Sequence, residues 1–131
     1  MTTVTCLVTH VELDERLTTR RQLSVSARLE AELSDGEAVV LLDDRGWSES
    51  FLGDGDIRAH LTRESIEETA RTVVGPDEPY GDQTQEQAAA AHWGALADLL
   101  ARRGVRVAAA DLAGAAHPVV LGERLRGWAG F

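Results

Sequence analysis

Residues 22–33 read Gln22-Leu23-Ser24-Val25-Ser26-Ala27-Arg28-Leu29-Glu30-Ala31-Glu32-Leu33, an unbroken alternation of polar and apolar side chains. Successive side chains of a strand point to opposite faces, so this period of two predicts a strand with one wet and one packed face. Antiparallel sheets commonly take that form. Asp35-Gly36 follows, and glycine tolerates the positive φ of a tight hairpin. Ala38-Val39-Val40-Leu41-Leu42 then reads as the return strand, closing at Asp43-Asp44-Arg45-Gly46.

Upstream, Val4 to Leu13 is expected to supply the first strand. Downstream, Trp47–Phe51 and Ile57–Leu61 are expected to form a second hairpin around Leu52-Gly53-Asp54-Gly55-Asp56, with an early helix as the alternative for Ile57–Leu61. The pattern up to residue 61 is thus an antiparallel sheet of about four or five strands.

From residue 62 the period becomes helical. Thr62 is placed to cap a helix over about 63–74, with Ser65 and Glu68 offering a second capping-box start, and Ile66, Ala70, Val73 and Val74 lie on one side. Gly75-Pro76 stops it. Thr84 and Gln87 form another capping box, opening a helix to about Arg103 whose stripe is Ala89, Trp93, Leu96 and Leu100. Val105-Arg106-Val107 reads as a short strand or connector, a turn is expected near 111–113, and a terminal helix from about Pro118 would pack Leu121, Leu125 and Trp128 on one face. Strands followed by two or three helices on one sheet face define an α+β domain, single over residues 1–131, strand-rich over 1–61 and helix-rich over 62–131.

The chain has 131 residues, 44% hydrophobic and 27% charged, an ordinary globular balance. No apolar run approaches the roughly 18–20 residues that cross a bilayer. Met1 to Leu7 lacks the charged start and apolar stretch of a signal peptide, and Cys6 is a lone cysteine, so a cytoplasmic setting is expected. All thirteen basic residues are arginine. The net charge of −9 disfavours nucleic acid and anionic membranes as partners, because phosphate neutralisation needs a cationic face. Charge is uneven: residues 35–98 carry fifteen acids and four arginines, a net of −11, whereas residues 102–126 have a net of +3. An acidic surface keeps a protein soluble, and it also suits docking on a basic partner.

Catalytic and cofactor motifs are lacking. Without lysine there is no phosphate-binding loop of the Gly-x-x-x-x-Gly-Lys type, and Gly53-Asp54-Gly55-Asp56 reads as a turn. His10, His60, His92 and His117 are isolated in sequence and Cys6 has no cysteine partner, so neither metal nor cofactor is expected. Gly46-Trp47-Ser48-Glu49-Ser50 is not a nucleophile elbow, and Cys6 reads as a small buried hydrophobe on one face with Val4 and Val8.

The segment that stands out is Gly75-Pro76-Asp77-Glu78-Pro79-Tyr80-Gly81-Asp82-Gln83. Its two prolines restrict the geometries in which Asp77, Glu78, Tyr80 and Asp82 are displayed, and nothing basic lies between Val74 and Ala101. The bland expectation is a rigid connector with the Tyr80 ring packed on the sheet. The functional one is a recognition loop for a cationic group. His92, beside the apolar stripe, is expected to be a boundary histidine or a pocket wall, and Trp47, beside Gly46, is the other aromatic available for contact.

The composition and the lack of catalytic constellations point to a non-enzymatic binding or regulatory module docking on a basic protein, in the manner of an inhibitor or immunity protein. Its alternative is a small-molecule-binding or enzymatic domain with a pocket between the sheet and the helix bearing His92 and Trp93. Self-association through strand edges or opposed charge patches is a third.

Overall fold

The computed structural model describes residues 1–131. Four strands form one mixed sheet: β1 (Val4–Leu13), β2 (Gln22–Leu33), β3 (Ala38–Ser50) and β4 (Val119–Leu121), in the order β3-β2-β1-β4. β2 pairs antiparallel with β1, from Leu7 opposite Ala31 to Leu13 opposite Val25, and antiparallel with β3 on its other side. Between β3 and β4 run α1 (Arg63–Val73), α2 (Gln85–Arg102) and α3 (Ala109–Ala113), and α4 (Glu123–Ala129) follows β4. The architecture is α+β.

The alternation in β2 does what its period predicts. Leu23, Val25, Ala27, Leu29, Ala31 and Leu33 are all buried, while Ser26, Arg28 and Glu32 between them are exposed. Every helix packs on this odd-numbered face. One cluster joins Leu7 and Leu29 to Leu96 and Leu100 of α2 and Leu112 of α3. A second joins Val11 and Leu23 to Ile66 of α1 and to Leu121 and Leu125. Trp47 packs against both, so the core is continuous across its indole. Fully buried leucines such as Leu29, Leu100 and Leu125 contribute on the order of 2 kcal/mol each.

β3 departs from the sequence expectation. It does not close at Asp43–Gly46 but continues to Ser50, so Trp47–Ser50 belongs to this strand and no second hairpin forms. Two register shifts, near Leu29 of β2, accommodate the extra residues. As a result Arg45 and Trp47 stand opposite Ala27 and Val25 and share their inward face. Gly46 lets the strand through, because a Cβ there would lie 2.5 Å from the Val25 carbonyl oxygen.

Ile57–His60 is a turn of 3-10 helix capped by Asp56, the helical alternative for that segment. Residues 105–107 form a connector whose Val105 is buried. The terminal helix does not begin near Pro118. The chain first makes β4, parallel to β1, where Pro118 accepts from the Thr9 amide and the Gly122 amide donates to Val11. Pro118 cannot donate a ladder hydrogen bond, and Val119-Val120 are β-branched, so an edge strand suits them better than a helix start.

Candidate functional site

The loop 75–83 is held at both ends. α1 starts from a reciprocal capping box between Thr62 and Ser65, buries Ile66 and Ala70, and ends at Val74 with Gly75 behind it. At the other end the Thr84 hydroxyl accepts from the Gln87 amide while the Gln87 side chain accepts from the Thr84 amide, opening α2. Between them Gly81 takes φ +61 in a turn that the Gln83 amide closes on the Tyr80 carbonyl at 3.1 Å. Pro76 and Pro79 lower the entropy of the rest.

Arg45 pins this loop to the sheet. Its Nη1 donates to the Val73 carbonyl and to Asp77 Oδ1, both at 3.1 Å, and its Nε lies 3.9 Å from Asp44 Oδ1. Its side chain is only 24% exposed. The contact spans 32 residues and brings the acids of β3 beside those of the loop. Nothing in the local sequence signals it; the parity of β3, set by its bulges, would have had to be known first.

Two open grooves flank the loop and share Asp77 and Glu78. One, of about 400 Å³, has a floor of Leu42, Ala88, Ala91 and Ala95, with Tyr80 and His92 on its walls. The other, of about 470 Å³, lies between Pro76, Pro79, Glu86 and Ala89. Glu78, Asp82 and Glu86 have no cationic side chain within 4 Å. Tyr80 does not pack on the sheet. It is 89% exposed, so the bland expectation for its ring is overturned. A loop anchored by its backbone turn and by Asp77 has no need of the ring for packing.

Four of the sequence candidates therefore gather: Asp77, Glu78, Tyr80 and His92 line one groove. Asp82 is exposed on the turn but lines neither groove, and Trp47 lies in the core contact with its Nε1 buried and unpartnered. His92 is a half-buried boundary histidine that also lines the groove; its ring is hydrogen-bonded to the Val74 backbone, while its Nε2 is buried without a partner. Its ring meets Trp93 edge-on at 4.7 Å. Burial, with the Arg45 charge nearby, holds the imidazole below its ordinary value, and the Val74 carbonyl and Asp77 draw more weakly the other way.

Other titratable groups serve the fold. His117, which precedes β4, shares a 2.6 Å hydrogen bond between its Nε2 and the hydroxyl of fully buried Thr9, and its carbonyl accepts from Arg71 at 2.9 Å. On the helix-free face Glu30 holds Arg28 at 2.7 Å and His10 at 3.6 Å. Cys6 is on that face rather than in the core. It is half-buried, donates to Glu32 at 3.3 Å, and its thiol is pushed up by burial and by that carboxylate. A thiol so disfavoured as thiolate is a poor nucleophile. No three His, Cys, Asp or Glu side chains converge in a metal-holding group, and no helix is long and apolar enough to cross a membrane.

The fold is thus an α+β domain in which two open grooves with acidic rims adjoin an exposed tyrosine. Searches of protein-family models, curated proteins and solved structures return no match to the chain.

Proposed function

We propose that the chain is a small acidic binding module that docks on a basic surface of a partner protein, inhibitor- or immunity-like, in a cytoplasmic setting. The observation that carries this reading is Tyr80, 89% exposed on a proline-bounded loop between two grooves whose shared rim residue Glu78 has no counter-ion. Tyrosine is enriched at protein-contact hot spots, and an acidic rim complements a basic partner surface. The loop is already ordered by Arg45, Gly81 and the Thr84 box, so association need not spend free energy fixing it.

Charge reversal tests the reading. Glu78→Lys and Asp82→Lys remove acid without touching the Arg45 anchor, which Asp77→Lys would break. Partner recovered by affinity purification from the native cell should bind the double variant at least roughly tenfold more weakly, mostly through slower association, with the melting temperature unchanged. Undiminished binding would remove the loop from the interface.

A second reading draws on the 400 Å³ groove itself, whose apolar Leu42, Ala88, Ala91 and Ala95 lie beside Tyr80 and His92 and would suit a small molecule. Trp93 packs against the core, while the groove runs between Leu42 of β3 and the α2 face that carries His92.

A further inference from the structure

We propose that the groove beside Glu78 selects arginine over lysine, its occupant being an extended segment of a separate protein in which arginine alternates with apolar residues. This rests on the docking role assigned above to the same loop. The site already holds one guanidinium: Arg45 is accepted by the Val73 carbonyl and by Asp77 at one wall of the loop. That contact occupies Asp77 and leaves the Glu78 carboxylate, one residue on, without a cation. Two residues further the Tyr80 ring stands in solvent.

A planar guanidinium can lie on an aromatic face and direct its forked N–H donors at a neighbouring carboxylate. An ammonium can reach the carboxylate but has no plane to stack. The floor of Leu42, Ala88, Ala91 and Ala95 offers apolar surface beside that position, against which the alternate side chains of an extended segment can lie. Charge complementarity fixes the sign of the occupant, because residues 75–100 carry five acids and neither arginine nor lysine.

The test uses acetylated, amidated hexapeptides alternating alanine with arginine, with lysine or with citrulline, titrated into the full ¹⁵N-labelled chain. Amide shifts should be confined to the loop and the first turns of α2, with the arginine peptide binding roughly two- to fivefold tighter than the lysine peptide. The citrulline peptide should bind weakest. Tyr80→Leu should abolish the arginine–lysine difference, and Glu78→Gln should weaken both peptides; both side chains are exposed, so neither change threatens the fold. Equal affinity for arginine and lysine, or a difference that survives Tyr80→Leu, overturns the selectivity while leaving the acidic docking reading intact. Shifts that map elsewhere, or no binding of any peptide, overturn the inference as well, and the Glu78→Lys, Asp82→Lys capture experiment then judges the docking role independently.

Discussion

Glu12 reaches from β1 to the start of α4, where its Oε1 accepts the Leu125 amide at 3.0 Å. α4 has no side-chain cap of its own, since its N-cap is Gly122, and a Cβ at that position would collide with the Glu12 carboxylate. The carboxylate is the end of a flexible side chain and can move aside, so Gly122→Ala should cost about what losing a cap costs, about 1 kcal/mol. Glu12→Ala should cost a similar amount, and the double variant little more than either alone, because both remove one interaction. Urea unfolding of the four proteins measures this; strict additivity would refute the shared cap. Gly46 is the contrasting residue. Its neighbour is the Val25 backbone carbonyl, which cannot yield without parting the β2–β3 ladder, so Gly46→Ala should cost more, about 1–3 kcal/mol.

α2 illustrates how an element carries the site. Its first turn is fixed by the Thr84–Gln87 box, and Ala88 and Ala91, within its first two turns, floor the groove beside Tyr80. Thr84→Ala should destabilise the protein by about 1 kcal/mol. It should also speed amide exchange over the opening of α2 and the loop before it, while the Leu96–Leu100 turn stays protected; uniform loss of protection would show that the box does not act locally. This box was readable from sequence, as were the alternation of β2, the bounds of β1 and the stop at Gly75, because each is set by residues within a few positions of one another. The length of β3 was not, since Asp43, Asp44 and Gly46 look like a turn until the bulges and the Val25 carbonyl are known. Nor was β4, whose pairing depends on β1 far away in sequence. The site divides the same way. Asp77, Glu78 and Tyr80 share a loop and His92 follows on α2, so their neighbourhood was legible, whereas Arg45 arrives from the sheet and Tyr80's exposure follows from anchors elsewhere.

For the molecule as a whole, acid should act in two windows. His92 and His117 are held below their ordinary value of 6.5, chiefly by burial and then by Arg45 and Arg71. The folded state therefore favours the neutral rings. The stability linked to them is complete above pH 6.5 and is lost as pH falls from there through their depressed values. Asp56, hydrogen-bonded by Arg58, is lowered to about 2, so its contribution is present above 3.8 and fades only as pH falls toward 2. A melting-temperature profile should show both limbs, and a His92→Gln, His117→Gln variant should flatten the upper one alone; an unchanged upper limb would place the loss elsewhere. The sheet supplies a different constraint. Thr9 pairs with Val119, some 110 residues later, while the neighbouring β1–β2 and β2–β3 pairings close over short turns. Closing so long a loop is entropically costly, so the β-meander can assemble early while the far side of β1 waits for its partner. During synthesis that side is an open row of unpaired amides and carbonyls, a template for a neighbouring nascent chain. That stretch of β1 stays open to misassembly until β4, only three residues long, pairs with Thr9–Val11.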